Sequence, residues 1–241
     1  MAGHSKWANI KRRKAAQDAH KTKARTRMIR EIIVSAQEGG IDNNPRLQLA
    51  VQNAKKANVP KNKIDEAIKR ASGTNAENYE EILYEAYAPH GIALVIETMT
   101  DNVRRTVAAV RSMLTKYEGK LTSNNALAHL FSRKGVFTIS TVNIEDTETL
   151  TFTLLEAGID SLEEDEGQLY ITCPLQEFSK VREALTQANI TPEETSLQYL
   201  PTTTIPVSPD QAQRVEKLIE ALENEDDVQR VYDNMTIEPE A

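Results

Sequence analysis

Ten of the first thirty residues are Lys or Arg (Lys6, Lys11, Arg12, Arg13, Lys14, Lys21, Lys23, Arg25, Arg27 and Arg30), against a single acid, Asp18. Side chains of this type neutralise phosphates and release condensed counterions, so affinity grows with their number and falls steeply with salt. Trp7 lies between Lys6 and Lys11. There it either stacks on a nucleobase, worth about 1–3 kcal/mol, or docks onto neighbouring helices and anchors the segment. Lys55, Lys56, Lys61 and Lys63 form a second cationic group. Arg104, Arg105, Arg111, Lys116, Lys120, Arg133 and Lys134 form a third, with Glu118 the only acid between residues 104 and 134.

The formal net charge of −7 hides this segregation. Residues 1–70 carry a net +11 and the remainder a net −18. Residues 71–134 balance seven cations against seven acids, so the −18 belongs to residues 135–241. So steep a division points to an anionic partner for the N-terminal region. The acidic part would discourage nonspecific spreading or contact protein. An anionic membrane is disfavoured, because Lys11-Arg12-Arg13-Lys14 offers no apolar face to insert. Nucleic acid is the better partner, duplex DNA and ribosomal RNA both presenting the required phosphates.

Catalytic constellations are missing from the sequence. His4, His20, His90 and His129 are dispersed without partners at metal-ligand spacing, and His129, beside Leu127 and Leu130, reads as a packing residue. No glycine-rich phosphate loop appears among the nine glycines. Glu163-Glu164-Asp165-Glu166 and residues 223–227 read as solvated turns, lacking the ligand alternation of a calcium loop. Cys173 is the only cysteine and sits in the apolar run Leu169–Cys173, as a buried structural thiol would. No catalytic residue, metal or cofactor is expected, and the chain reads as a cytoplasmic protein with neither a secretory signal nor a membrane span.

The elements that must position these cations can be read from periodicity. Residues 4–26 form a basic arm with almost no apolar spacing. Met28, Ile29, Ile32, Ile33 and Ala36 recur at helical spacing up to Gly39-Gly40; Asn44-Pro45 opens a second helix and Pro60 a third. Residues 45–71 could enter a major groove as a helix–turn–helix, although the turn is lysine-rich and lacks an obvious set of base-reading side chains. After a polar linker, Ile82–Ala88 and Ile92–Thr98 read as a hairpin, followed by a helix capped by Asp101-Asn102. Residues 136–200 follow the order βαββαβ of the ferredoxin-like sandwich; this order is shared with RNA-recognition modules, but the stacking aromatics are absent. A strand over Thr203–Val207, a helix opened by Ser208-Pro209 and a strand over Val228–Tyr232 would return to complete the first sheet. The expected fold is α+β: a basic arm and helical domain (1–78), a discontinuous α/β domain (79–133 plus 203–241), and an inserted ferredoxin-like domain (134–202).

Several segments resemble the YebC/PmpR family along the whole chain. They are the opening Met1-Ala-Gly-His-Ser-Lys-Trp-Ala-Asn-Ile-Lys11, Arg13-Lys14, Gln17-Asp18-Ala19, Ile29-Arg30-Glu31-Ile32, Asn44-Pro45-Arg46-Leu47 and Pro60-Lys61. To these are added Tyr84-Glu85, Thr100-Asp101-Asn102, Arg105-Thr106-Val107, Val110-Arg111, Lys134-Gly135-Val136 and Asp226–Tyr232. The resemblance implies a helical N-terminal domain with two α/β domains, one inserted in the other. It implies a cytoplasmic DNA-binding transcriptional regulator. The alternative it carries is a ribosome- or RNA-associated translation factor relieving stalling at proline-rich stretches, since relatives include the mitochondrial translational activator of cytochrome oxidase subunit I. The chain departs from the family at Arg12, where His is usual, and at Thr22-Lys23-Ala24-Arg25, where the pattern is Gly-Lys-x-Phe. It also carries Ala86, Ala88 and His90 at hairpin positions that are glycine in the family.

Overall fold

The computed structural model describes residues 21–72, 79–144 and 146–238. They divide into two compact units, residues 131–200 and the remainder.

The larger unit begins with three helices, α1 (Lys21–Gly39), α2 (Pro45–Lys56) and α3 (Lys61–Ser72). Ile32, Ile33 and Ala36 of α1 meet Leu47, Ala50 and Ala54 of α2 and Ile64 and Ala67 of α3 in one apolar core. Asn44 sets the angle between α1 and α2. Its Oδ1 accepts from the Leu47 N–H at 3.0 Å, capping α2, while its Nδ2 donates to the Ser35 carbonyl at 2.6 Å and the Gly40 carbonyl at 2.9 Å. Pro45 follows at the first helical position, where its missing N–H costs nothing. Gly40 ends α1 at φ +72°. Residues 21–26, which the sequence assigns to a flexible or marginally helical arm, are helical. Once one turn is fixed by packing, each further residue adds a hydrogen bond at little cost, so the helix propagates into a segment with no apolar face of its own.

A four-stranded sheet of order β3-β1-β2-β9 follows, built from β1 (Glu80–Tyr87), β2 (Ala93–Thr100), β3 (Lys120–Leu121) and β9 (Val228–Asp233). β1 and β2 pair antiparallel from Glu80↔Thr100 to Tyr87↔Ala93. Helices α4 (Val103–Lys116) and α7 (Pro209–Glu223) cover the sheet; Val110, Leu114, Val215, Leu218 and Leu222 pack on Ala86, Leu94, Ile96 and Val231. Ser208 and Gln211 close a reciprocal capping box at the start of α7. The strand β8 (Ile205–Val207) does not join this sheet; it pairs parallel with the unforeseen β10 (Met235–Ile237). Only β9 returns to the hairpin. In that hairpin His90 adopts φ +65°, a left-handed conformation that costs an L-residue about 1 kcal/mol relative to glycine. Ala86 and Ala88, by contrast, bury their methyl groups in the core.

One carboxylate ties the sheet, α4 and α1 together. Asp227 is 1% exposed. Its Oδ2 accepts from Arg105 Nη2 and from the Thr106 hydroxyl, each at 2.7 Å, and lies 3.2 Å from Thr100 Oγ1. Arg30 of α1 approaches Oδ1 at 3.4 Å and donates to the neighbouring Asp226 carbonyl. Asp227's own carbonyl accepts from the Met99 N–H at 2.9 Å. Burial opposes ionisation, but the donors and the two guanidinium charges outweigh it, so the carboxyl titrates below its ordinary value.

The second unit contains β4 (Phe131–Ser140), α5 (Thr147–Glu156), β5 (Ser161–Asp165), β6 (Gln168–Pro174), α6 (Phe178–Gln187) and β7 (Glu194–Pro201), with sheet order β5-β6-β4-β7. β6 is antiparallel to both β4 and β5. Leu150 and Leu154 of α5 and Val181 and Leu185 of α6 cover Phe137, Ile139, Leu169 and Ile171. Cys173 is fully buried here, and burial, with the Asp160 charge adding to it, pushes its thiol up to about 11. Gly135 lets β4 pass beneath α6: a Cβ there would strike the Phe178 ring and come within 2.8 Å of Cys173 Sγ. Phe178 in turn stacks on Phe137, centroids 5.0 Å apart.

Replacing Asp227 by Asn turns amide donors toward groups that already donate, so urea unfolding at neutral pH should show a loss of about 2–4 kcal/mol. Thr106→Val, which removes one bond to the carboxylate, should cost about 1.5–3 kcal/mol. Because the folded-state value is depressed, Asp227's contribution is present above its ordinary value of 3.8 and fades as pH falls through the folded value. The difference between wild type and Asp227→Asn should therefore shrink in melts below that pH. A constant difference would mean that the carboxylate's ionisation contributes nothing. In the second unit, Gly135→Ala should lose about 1–3 kcal/mol through overpacking, read from the same melts.

Candidate nucleic-acid interface

The cations expected to grip phosphate separate into three classes by what they touch. Lys6, Trp7, Lys11, Arg12, Arg13 and Lys14 lie outside the described residues, while Lys21 and Lys23 begin α1 without a described side-chain position. Arg25 is exposed on the first turns of α1.

Arg27 and Arg30 turn inward. Arg27 donates to the Glu223 carbonyl at the C-terminus of α7, where the unpaired carbonyls of the last turn attract a cation. Its burial lowers its pKa, against the attraction of Glu223. Arg30 meets Asp226 and Asp227 and lies over the Tyr79 ring at 5.5 Å. Arg105 is exposed on the outer face of α4, as expected, but its guanidinium is engaged by Asp101 and Asp227, both at 2.7 Å. Its hydrogen bonds to Asp227 and then to Asp101 raise its pKa. Arg46 completes this inward set, reaching Glu31 at 3.0 Å, Glu38 at 2.5 Å and Glu81 at 2.6 Å. It thereby joins α1, α2 and β1 through a group that the spacing alone does not single out.

Lys55 and Lys56 on the last turn of α2, and Lys61 and Lys63 on the first turn of α3, are exposed and adjoin one short connection. The first pair suits a helix C-terminus. The second pair opposes the α3 macrodipole, since that turn contains no acid; each such cation is disfavoured by about 0.3–1 kcal/mol at a helix N-terminus. An anion seated at those N–H groups would reverse the sign. Lys63 has one local partner, Glu66 at 2.9 Å.

On α4, Arg104 and Arg111 are exposed and two turns apart, hence on one stripe of the helix. Lys116 lies over Tyr117 at 5.3 Å. Arg133 and Lys134 belong to β4 in the other unit, where Lys134 pairs with Asp160 at 3.0 Å and Arg133 lies over Tyr199 at 5.6 Å.

His129 is exposed rather than packed, with Leu127 taking the buried position beside it. Glu163–Asp165 lie on β5, and no group of three or more His, Cys, Asp or Glu side chains suited to a metal occurs among the described residues. No helix among them is long and apolar enough to cross a membrane.

Four of the segments that carry the family resemblance, Ile29–Ile32, Thr100–Asn102, Arg105–Val107 and Asp226–Tyr232, meet in space. Thr100, Thr106 and Asp227 form its buried centre, Asp101, Asn102 and Arg105 its exposed rim, and Arg30 reaches it from α1. Comparison with known proteins agrees over the whole chain. Residues 5–74 match the TACO1/YebC protein N-terminal domain, and residues 79–235 match the TACO1/YebC second and third domain. A protein of Amoebophilus asiaticus is 46% identical over 239 residues, covering 98% of each chain, and one of Paraburkholderia phymatum is 46% identical over 244 residues, covering 100% of each. Each bears the name "Probable transcriptional regulatory protein". The crystal structure of a conserved hypothetical protein from Aquifex aeolicus superposes with a TM-score of 0.84 at 36% identity, covering 92% of this chain and 93% of that one. The chain therefore belongs to the TACO1/YebC family.

Proposed function

We propose that this protein is a non-enzymatic regulator that binds duplex DNA through the phosphate backbone, using its basic arm and the α2–α3 junction. The observation that carries this reading is the set Lys55, Lys56, Lys61 and Lys63, exposed on adjoining helix ends with no acid in the first turn of α3. The arm adds Lys6, Lys11, Arg12, Arg13 and Lys14, with Arg104 and Arg111 as an outlying stripe. Arg27, Arg30 and Arg105 stand apart from the ligand and hold the larger unit together. The contacts are of the positioning kind, to phosphate, and carry little sequence information. The name shared by the relatives supports a transcriptional role. In this reading a basic helical part (1–78) delivers the nucleic acid to a discontinuous α/β part (79–133 with 203–241), and residues 134–202 form an inserted ferredoxin-like domain.

The test is the salt dependence of binding to a random-sequence duplex. Removing residues 1–20 leaves Arg27 and Arg30 in place and should flatten log K against log salt by close to 0.9 per lost phosphate contact. Lys55→Ala and Lys61→Ala should each reduce the slope by about 1 while weakening all sequences alike. Lys61→Ala should raise stability slightly and Lys55→Ala lower it slightly, each by no more than about 0.3–1 kcal/mol, whereas Arg30→Ala should lower the melting temperature clearly. An unaltered slope in the truncated and lysine variants overturns the proposal. Tighter binding to an A-form RNA duplex than to DNA of matched length would replace DNA by RNA as the target.

A further inference from the structure

The second unit carries an apolar ridge that its own core does not use. Leu150 and Leu154 turn the inner face of α5 to the sheet and are 5% and 0% exposed. On the opposite face Phe152 is 70% and Leu155 55% exposed. At 100° per residue, Phe152, Leu155 and Glu148 share one outward sector, with Glu156 at its edge. Glu148 and Glu156 are exposed one turn before and one turn after Phe152. Two large apolar side chains three residues apart on a helix, rimmed by charge, differ from the scattered surface hydrophobics of ordinary proteins.

The charges decide what covers the ridge. Residues 131–200 hold four cations and thirteen acids, a net −9. A nucleic acid or an anionic bilayer is repelled by such a unit, and so is the same face of a second copy. The complementary occupant is a cationic protein segment that places apolar side chains against Phe152 and Leu155 and Lys or Arg beside Glu148 and Glu156. A basic amphipathic helix has this pattern, and it recognises a partner through anchors three or four residues apart. We infer that the outward face of α5 is a docking surface for a basic, amphipathic segment of another protein. The chain then carries two surfaces of opposite charge: cations for a polyanion and an acidic, apolar-ridged surface for a polycation.

The experiment uses the full-length chain and a fluorescein-labelled synthetic helix of about 18 residues, or five turns, with Leu on one face and Lys on the other. Fluorescence anisotropy should show saturable binding, and a matched peptide with Ser for Leu should bind at least about tenfold more weakly. Phe152→Ser with Leu155→Ser, and Glu148→Lys with Glu156→Lys, should each weaken binding by a similar factor while circular dichroism is unchanged. Glu183→Lys with Glu193→Lys makes the same charge change at exposed positions of the same unit outside α5 and should have less than about a threefold effect. The inference fails if the two charge-reversed variants lose affinity equally, or if the serine peptide binds as well as the leucine peptide. It also fails if the Phe152/Leu155 variant loses instead the ability to self-associate in sedimentation equilibrium or to bind phosphatidylglycerol vesicles.

Discussion

Asp227 is the point at which sequence-distant parts of the larger unit are held in register. A carboxylate removed from water is tolerable only when its lone pairs are filled and its charge is met. Here Thr106 and Arg105 of α4 and Arg30 of α1 meet that demand, with Thr100 at the end of β2 alongside. Asp227 itself precedes β9, the strand that returns to pair with β2. The placing of α1 on the sheet, the seating of α4 and the closure of the sheet by a C-terminal strand thus depend on one negative charge. Arg46 plays a parallel part, its three carboxylate partners lying on α1 and β1.

This arrangement changes the meaning of the charge count. A net +11 over residues 1–70 suggests seventeen cations available to a partner, yet Arg27, Arg30 and Arg46 are engaged with carbonyls or carboxylates of the chain. Cations on α1 and α4 that face acids stabilise the fold at the expense of ligand attraction. Those at the α2–α3 junction face solvent, and two of them oppose the helix dipole. Lys63 is compensated in part by Glu66, whereas Lys61 works against the dipole of its own helix, and this separates the junction physically from Arg30, whose charge is met inside the fold.

The local rules were readable in the chain. Asn44-Pro45, Asn102 and Ser208-Pro209 cap the helices whose starts they mark, and the alternation around Pro89-His90-Gly91 gives the β1–β2 hairpin. The spacing of Ile32, Ile33, Leu47, Ala50, Ile64 and Ala67 identifies the faces that become the helical core. What escaped reading was nonlocal. Arg105 and Asp227 are 122 residues apart, so a surface arginine bonded to a buried carboxylate and one facing solvent alone look identical in sequence. The parallel pair β8–β10 joins three-residue strands, too short for any period to register. Periodicity identified the helix containing Phe152 but did not distinguish a core-facing Phe from an outward one, because Leu150, Leu154 and Leu155 already supply an apolar stripe.

Opposite charge on two surfaces of one chain has a further consequence. Basic and acidic surfaces on the same molecule attract each other as well as their partners, and within a Debye length of about 8 Å at physiological salt that attraction competes with binding. The larger unit limits the competition by neutralising Arg27, Arg30, Arg46 and Arg105 locally, each against a carbonyl or carboxylate of its own unit. The second unit does the same for Lys134 through Asp160 and for Lys180 through Glu177. With these pairs closed, the second unit's residual charge is almost purely acidic and the α2–α3 junction almost purely basic. Internal pairing therefore sharpens the contrast between the two surfaces instead of diluting it, and a protein with a net charge of only −7 can present a strongly positive surface and a strongly negative one at the same time.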